Sequence, residues 1–176
     1  GGEAQTCMAS QPLAEVDGYT VHQCPSCYLR FSNPMRHPGA EWYRQSAHYK
    51  TIINKSLRLP LWVLYGDWRF KTFLTLGLRR GGRLLDVGCG SGQFLRLAKA
   101  NGYQVSGIDV DNEAVNVAKY RFSLRDVYVL AAEELGSLSW EEHFDVICMF
   151  DVLEHLENPV SALRELGRLL TPGGCL

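Results

Sequence analysis

Short apolar runs alternate with segments of helix length through the second half of the chain. The runs are RLLDVG, QVSGIDV, VYVL and FDVICMF, and each is bounded by glycine or polar residues. Runs of this length and composition are typical of buried strands, and strands that alternate with helices form a parallel sheet covered on both faces. The pattern therefore predicts an α/β fold with a doubly wound, mostly parallel sheet. Cys89, Cys148 and Cys175 lie in or beside the runs, so we expect them to be reduced core residues.

The segments between the runs place apolar residues three or four positions apart, as amphipathic helices do. Each segment therefore predicts a helix with one face on the sheet. The apolar sets are Phe94, Leu97 and Ala98 in the first segment and Val115, Ala118 and Phe122 in the second.

A last helix follows FDVICMF. Asn158 is its predicted cap, and Val160, Leu163 and Leu170 are predicted to line its inward face, with Gly173 following its end. TPGGCL then reads as a turn where another buried strand begins. An unpaired sheet edge there would be exposed, so we expect a fold truncated at the start of its fifth strand, in a piece of a longer protein.

The composition of the chain changes before the strand pattern begins. Residues 1–40 are rich in cysteine and proline, with too few apolar residues for a core of their own. Residues 41–82 mix aromatics and leucines with basic residues, which predicts a bridge or lid of one or two helices interrupted near Pro60 and Gly66. Residues 83–176 carry the strand pattern. We therefore predict a small N-terminal segment, a helical bridge and an α/β core.

Overall composition and charge exclude several classes of protein. The chain is 46% hydrophobic and 21% charged with a formal net charge of -1, so it lacks the basic field that draws a protein onto nucleic acid. Arg79, Arg80 and Arg83 form a local basic cluster, which leaves RNA binding as an alternative. No apolar stretch approaches the roughly 20 residues that span a bilayer, and the first residues do not resemble a signal peptide. A cytoplasmic protein without membrane association is predicted.

The turn after the first strand of the α/β core carries glycine on alternate positions. Gly88, Gly90 and Gly92 give GxGxG, whereas the dinucleotide fingerprint GxGxxG requires glycine at position 93, which is Gln93. The spacing therefore does not fit NAD.

Two acids accompany the glycines. Asp86 ends the first strand of the core just beneath the turn, where a carboxylate can hold a ligand's ammonium group or a loop rich in donors. Asp109 ends the next strand, about twenty residues after the glycines, where a carboxylate can accept hydrogen bonds from ribose hydroxyls. Taken singly, each motif also fits a plain strand-to-helix turn with a solvated acid. Together they favour a nucleoside cofactor with a cationic amino-acid end.

These motifs resemble the class I S-adenosylmethionine-dependent methyltransferases, whose first motif is an acid followed by GxGxG. FDVICMFDVLEHLENP resembles the family's fourth-strand motif, and LLTPGG resembles the helix end and turn before its fifth strand. The resemblance covers residues 83–176 and implies a Rossmann-like fold that binds S-adenosylmethionine. The site residues it implies are Asp86, Gly88, Cys89 and Gly90 beside the methionine end, Gly92 for helix packing, Asp109 at the ribose, Val110, Ala132 and Glu133 around the adenine, and Phe150 with Asp151 beneath the sulfonium.

Methyl transfer requires a base only when the acceptor must lose a proton. His155 is the predicted base because it follows the fourth strand of the core, on the side of the sheet where doubly wound folds bind ligands. Asp151 is a second candidate, and His48 and Tyr49 are others. A packing role for His155 is the alternative, and Glu154 is interpreted as structural.

CPSC at residues 24–27 has the spacing with which two thiolates share one zinc ion. The stretch from Cys7 onwards resembles the zinc-ribbon front of one group of class I methyltransferases, which implies a structural zinc. That group usually opens with a second CxxC, but here only Cys7 is present, so His22 is the candidate for the missing ligand beside Cys24 and Cys27. The alternative is an empty site with free or disulfide-linked thiols.

The sequence thus favours S-adenosylmethionine-dependent methyl transfer to a small-molecule acceptor, such as a sugar, a quinone-like compound or another metabolite. Two alternatives follow from the same features. An RNA methyltransferase fits because zinc ribbons also occur on enzymes of that fold that modify ribosomal RNA. A noncatalytic cofactor-binding protein fits because the predicted fold is incomplete.

Overall fold

The structure is a computed structural model of the 176-residue chain. It describes residues 11–16, 19–33, 45, 60, 65–78, 81–137, 139–140 and 142–176. Much of the predicted bridge lies outside the described residues, and so do Cys7, His48, Tyr49, Arg79 and Arg80. The chain divides into two compact units, Gly1–His37 and Pro38–Leu176.

The described part of the first unit is a small antiparallel sheet. Its strands are β1 (Gln11–Val16), β2 (Tyr19–Gln23) and β3 (Arg30–Asn33), and β2 lies in the middle. The turn from β2 to β3 is closed where the Tyr28 amide donates to the Cys24 carbonyl at 2.9 Å. The CPSC stretch therefore forms this turn.

A parallel sheet of five strands forms the centre of the second unit. The order across the sheet is β6-β5-β4-β7-β8, and every neighbouring pair is parallel. The predicted doubly wound parallel sheet is confirmed. The strands are β4 (Arg83–Val87), β5 (Gln104–Asp109), β6 (Val127–Val129), β7 (Phe144–Met149) and β8 (Leu170–Cys175).

Helices cover both faces of this sheet. None of the helices in the described ranges is long and apolar enough to cross a membrane. The helices are α1 (Trp68–Thr75), α2 (Gln93–Ala100), α3 (Asn112–Asn116, continued by the π-helical turn Val117–Arg121) and α4 (Pro159–Leu169), with 3-10 turns at Ala132–Ser137 and Leu153–His155.

Successive residues of β4 point to opposite faces and enter two separate core clusters. Leu84 packs with side chains of α1, α2 and α3, and Leu85 packs with side chains of α4. Burial on both faces explains why the strands read as nearly continuous apolar runs. The predicted inward sets of α2 and α3 are confirmed, with Phe122 partly buried and the rest buried. Of the three predicted core thiols, Cys89 and Cys148 are buried and Cys175 is partly buried.

The inward face of α4 differs from the prediction. Ala162, Leu166 and Leu169 are buried, whereas Val160 is 54% exposed and Leu163 37% exposed. Both sets have helical spacing, so periodicity alone does not choose between them. The helix ends at Leu169 because the next residue already has extended backbone and joins the sheet.

The fifth strand includes the stretch predicted to be a turn. Leu170 pairs with Phe144, and Cys175 pairs with Val146. Between these two pairs β8 advances by five residues while β7 advances by only two. Residues 171–174 bulge between the two pairing points, where Pro172 has no amide hydrogen to donate and Gly173 has a left-handed φ of 82°. The predicted turn therefore lies within β8.

The chain order creates a crevice at the carboxyl ends of the strands. From the central β4 the chain builds outward through β5 and β6, then crosses to the other side for β7 and β8. The loops that follow β4 and β7 therefore diverge, and this switch point is where open α/β sheets bind ligands.

Candidate functional site

The glycine turn after β4 depends on backbone conformations that other residues rarely adopt. Gly88, Gly90 and Gly92 have φ values of 74°, 51° and 79°. The amides of Gly88 and Cys89 both donate to the Ile108 carbonyl, at 2.9 and 3.0 Å. These bonds tie the turn to β5.

Two of the glycines also leave no room for a side chain. A Cβ atom at Gly88 would lie 2.2 Å from Cγ2 of Val152, in the loop after β7. At Gly92 it would lie 2.5 Å from Cδ1 of Leu124 and 3.2 Å from Cβ of Ala118. The glycines therefore let the β7 loop pack directly against the turn and let the start of α2 pack directly against Ala118 and Leu124.

Cys89 lies in the turn, but its side chain points into the core. The thiol lies 3.6 Å from the Gly90 carbonyl and packs against Gly107 of β5. Burial, with the nearby carboxylates adding to it, raises the pKa of this thiol well above its usual value. It is therefore a packing group and not a thiolate.

Asp109 links the two loops that follow β4 and β5. The Gly90 amide donates to its Oδ2 at 2.7 Å, and the Asp111 amide donates to its Oδ1 at 2.8 Å. Burial raises the pKa of this carboxyl despite those hydrogen bonds. Each oxygen keeps a second lone pair, so the carboxylate is fixed in place and can still accept from a ligand.

Asp86 is only 3% exposed. In the described part of the chain, its carboxylate oxygens accept no hydrogen bond. Burial raises the pKa of this carboxyl to about 8; the Arg69 guanidinium opposes the shift and the Asp109 carboxylate adds to it. A buried carboxylate with no donor is costly, so the site favours a ligand that brings one.

Arg69 on α1 supplies a cation close to these acids, and sequence reasoning missed it. Its Nε and Nη2 donate to the Asp67 carboxylate at 3.0 and 2.6 Å, and the Asp67 side chain also caps the helix. The hydrogen bond to Asp67, together with the carboxylates of Asp86 and Asp151, raises the pKa of Arg69. The helix cap in GDWR can be read from the sequence. Nothing in the sequence shows that Asp86 and Asp151 lie beside Arg69.

An aromatic group borders the same crevice. The Phe150 ring meets the Phe94 ring edge-on at 5.1 Å and the Trp68 ring edge-on at 6.0 Å between centroids. Trp68 is 60% exposed and immediately precedes Arg69 on α1. This helix therefore brings a cation and an exposed indole to the site, and Trp68 was not among the predicted residues.

The loop after β7 carries both predicted catalytic residues. Asp151 is exposed and has a left-handed φ of 56°, which costs a non-glycine residue about 1 kcal/mol or more. His155 is half-buried, and its amide donates to the Val152 carbonyl at 2.9 Å within the 3-10 turn. Of the two, Asp151 interacts electrostatically with Arg69, because its carboxylate contributes to the raised pKa of that guanidinium.

The residues predicted around the adenine are only partly accessible. Val110 follows Asp109 and is half-buried, whereas Ala132 is buried in the cluster that packs on α4. Glu133 is exposed, and the amide of Leu130 donates to the Asp109 carbonyl at 3.0 Å, which holds this segment beside β5. Among these three, the side chains of Val110 and Glu133 are the ones a ligand can reach.

The predicted zinc ligands are only partly described. Cys24 is buried and Cys27 is exposed in the turn after β2, and the His22 ring stacks on Phe31 at 5.9 Å. Within the described ranges, no group of three or more His, Cys, Asp or Glu side chains is arranged to hold a metal ion. Because Cys7 lies outside those ranges, the zinc prediction is not confirmed.

Comparison with known proteins agrees with this fold and identifies the family. The model of the methyltransferase domain family matches residues 65–176, so the chain belongs to this family. A ubiquinone biosynthesis O-methyltransferase of Alkalilimnicola ehrlichii is 38% identical over 103 residues, covering 56% of this chain and 41% of that protein. The chain therefore spans about two fifths of the length of the curated relatives it matches.

Solved structures show the same fold. The structure of an S-adenosylmethionine-dependent methyltransferase from Aquifex aeolicus superposes with a TM-score of 0.53 at 31% identity, covering 69% of this chain and 67% of that one. The structure of the [4+2]-cyclase SpnF superposes with a TM-score of 0.51 at 34% identity, covering 60% and 42%.

Proposed function

We propose that the crevice at the carboxyl ends of β4 and β5 binds S-adenosylmethionine and that the protein transfers its methyl group to a small-molecule acceptor, in the cytoplasm. The observation that carries this proposal is the buried Asp86 carboxylate, which lacks a hydrogen-bond donor and lies near the Arg69 guanidinium. A quinone-like acceptor is supported by the name of the O-methyltransferase relatives.

The amino-acid end of the cofactor suits this pair of charges. An α-amino acid at neutral pH carries an ammonium and a carboxylate on one carbon. Asp86 would accept from the ammonium, and the Nη1 of Arg69, which does not take part in the bond to Asp67, would donate to the carboxylate. Gly88 and Gly90 would let the amino-acid end of the ligand lie close to the backbone of the turn, because neither residue has a side chain.

The nucleoside end would follow β5. Asp109 has one lone pair left on each oxygen after accepting from Gly90 and Asp111, which suits two ribose hydroxyls. Val110 would pack on the adenine, and the segment at Ala132 and Glu133 would meet its edge. The chain has Ala131 where the family often has an acid, so backbone groups would provide the adenine contacts.

When bound, the cofactor supplies an electrophilic methyl group on a sulfonium, and the protein chiefly orients donor and acceptor. Phe150 and Trp68 would form the apolar wall that excludes water from the transfer path. Asp151, whose backbone is held in an unfavourable conformation, would lie beneath the sulfonium.

His155 is proposed as the base that removes a proton from the acceptor hydroxyl. Replacement by alanine is expected to lower kcat about 100-fold at pH 7 with little change in cofactor affinity, because a positioned base typically contributes factors of 10² to 10⁴. Steady-state rates from pH 6 to 9 with a catechol-type acceptor test this. Equal rates and equal pH profiles for His155→Ala and the unchanged protein would leave His155 as a packing residue.

The cofactor assignment is tested by calorimetry on the 176-residue chain. S-adenosylhomocysteine is expected to bind with a 1:1 stoichiometry, and NADH is expected not to bind, because the glycine spacing does not suit a dinucleotide. Tight binding of NADH together with no heat from S-adenosylhomocysteine would overturn the proposal.

Arg69→Gln is expected to weaken S-adenosylhomocysteine binding about tenfold or more, since a hydrogen bond to a charged group is worth roughly 1.5–3 kcal/mol. Lys71→Gln, which removes an exposed cation from the same helix, is the matched control and should leave the affinity unchanged. Isothermal titration of both variants measures the difference. Equal affinities in the two variants would remove Arg69 from the site.

A structural zinc in the N-terminal segment remains a proposal, with Cys24 and Cys27 as ligands and Cys7 and His22 completing the set. Thiolates bind zinc strongly, so protein purified without added metal is expected to contain about one zinc per chain. Cys24→Ser should reduce that content to near zero. Elemental analysis that finds no zinc in the unchanged protein would rule the site out.

A second candidate function, cofactor binding without methyl transfer, is favoured by one observation. The similarity to the [4+2]-cyclase SpnF joins this chain to a protein whose described reaction is not methyl transfer. Binding of S-adenosylhomocysteine without methyl transfer to any of a panel of phenolic, sugar and amine acceptors would support that alternative.

A further inference from the structure

A second cleft opens at the opposite end of the strands, where the parallel strands begin. It has a volume of about 550 Å³, and its lining includes the first residues of β4, β5 and β7. Arg83 of β4 lies in this lining, and Asp86 lies three residues further along the same strand, which is about 10 Å. The cleft is therefore separate from the crevice at the carboxyl ends.

The charges around this cleft are mostly positive. Arg83, Lys99 and Arg125 line it, and Asp126 is the one acid among the described residues of the lining. Within the part of the chain that the structure describes, none of the three cations forms a salt bridge. Arg83 Nη1 lies 3.4 Å from a ring nitrogen of His143, and Lys99 Nζ donates to a backbone carbonyl at 3.1 Å. The Asp145 carboxylate accepts from the Arg83 amide at 2.7 Å, so the positive charge is offset only in part, and the excess of cations favours an anion.

An aromatic wall completes the same cleft. The Tyr128 and Trp140 rings meet edge-on at 5.7 Å between centroids, and Trp140 also lies nearly parallel to His143 at 6.5 Å. Tyr128 is 41% exposed although it lies on a strand of the sheet. Lys119 Nζ lies over this ring, 5.5 Å from its centroid, so a planar ligand ring would pack on the surface of Tyr128 and Trp140 that Lys119 leaves exposed.

We propose that this cleft binds a small anion that carries a planar ring, with the chemistry of a nucleoside monophosphate. The cations would hold the phosphate, and Tyr128 with Trp140 would hold the ring. The volume lies within the range of roughly 300–1,000 Å³ that small-molecule sites occupy. A single nucleotide suits this chain better than a long polyanion, because its formal net charge is -1. The inference does not depend on the proposed methyl transfer.

Titration of the 176-residue chain with adenosine monophosphate at low salt tests the proposal. We expect this probe to bind at least about tenfold more tightly than inorganic phosphate or adenosine, because each of those offers only half of the recognised chemistry. Saturating S-adenosylhomocysteine should leave its affinity unchanged. Lys99→Gln and Arg125→Gln, both at exposed positions, should each weaken it about tenfold, and the exposed Arg164→Gln on α4 is the matched control.

Several outcomes would overturn the proposal. Absence of binding, or equal binding of phosphate alone or of adenosine alone, would show that the cleft does not recognise a phosphate and a ring together. Displacement by S-adenosylhomocysteine would place the probe in the carboxyl-end crevice instead. Unchanged affinity in Lys99→Gln and Arg125→Gln would also exclude the cleft, and tighter binding of a ten-nucleotide RNA than of the mononucleotide would make it an RNA surface.

Discussion

Asp86→Asn is expected to weaken binding of S-adenosylhomocysteine strongly at pH 8 and, at the same pH, to raise the free energy of unfolding. The amide is nearly the same shape but cannot carry the negative charge that would hold the ligand's ammonium group. Loss of a buried charge pair of this kind should lower the affinity by about 100-fold or more. Stability should rise because the variant no longer has to ionise a group that is only 3% exposed.

The pH dependence separates this effect from other consequences of the substitution. Burial raises the pKa of Asp86 from 3.8 to about 8, so the folded protein holds a proton that the unfolded chain releases above about pH 4. The unchanged protein therefore loses stability as pH rises from about 4 to about 8, and the variant does not. The stability difference should grow by about 3 kcal/mol from pH 5 to pH 8.

Urea denaturation at the two pH values, with Asp126→Asn as an exposed control, measures that growth. A difference between Asp86→Asn and the unchanged protein that is the same at pH 5 and pH 8 would show that Asp86 titrates normally. The affinity of the unchanged protein for S-adenosylhomocysteine should fall as pH decreases below 8, because binding then has to expel the proton from Asp86.

Gly88→Ala is expected to lower S-adenosylhomocysteine affinity by about 100-fold and to destabilise the fold. The new methyl group would lie 2.2 Å from Cγ2 of Val152, a branched side chain with little freedom to move away. The left-handed φ of 74° adds roughly 1–2 kcal/mol for a residue with a Cβ atom. The β7 loop, with Asp151, would therefore shift away from the turn.

Two further variants separate the clash from the backbone strain. Gly102→Ala has an equally unfavourable φ of 93° but nothing within 4 Å of the new atom, so it should cost only about 1 kcal/mol and leave binding unchanged. Val152→Ala in the Gly88→Ala background should recover part of the affinity, because it removes the atom that is struck. Calorimetry and thermal unfolding of the unchanged protein, Gly88→Ala, Gly102→Ala and the double variant measure these differences. No recovery of affinity in the double variant would mean that Val152 is not the obstacle.

The sequence predicts the α/β core well because both faces of its sheet are buried. That burial makes each strand a continuous apolar run, and the helices between the runs are long enough for their spacing to be read. The choice of inward face on α4 was wrong, because Val160 with Leu163 and Ala162 with Leu166 have equally good helical spacing. The extent of β8 could not be read either, since TPGG has the composition of a turn and interrupts the strand without ending it.

The candidate site also contains some residues that the sequence reveals and others that it does not. Asp86, Gly88, Gly90 and Asp109 are within one β-α-β unit, and local backbone requirements make them visible in the sequence. Arg69, Trp68 and Val152 reach the crevice from elements that are distant in sequence, and only packing brings them there. The second cleft likewise collects residues from the beginnings of β4, β5 and β7 and from β6, which no local pattern marks.

The position of Trp68 and Arg69 on one short helix makes the crevice sensitive to the length of that helix. Adjacent residues of an α-helix diverge by about 100°, so Trp68 serves the aromatic side of the crevice and Arg69 serves its acids. A single inserted or deleted residue between the Asp67 cap and Phe70 would change the phase of both at once. Under the proposed function, exchanging the indole for another side chain would alter only the apolar wall of the crevice, whereas a change in the length of this helix start would also displace Arg69 from the acids that it faces.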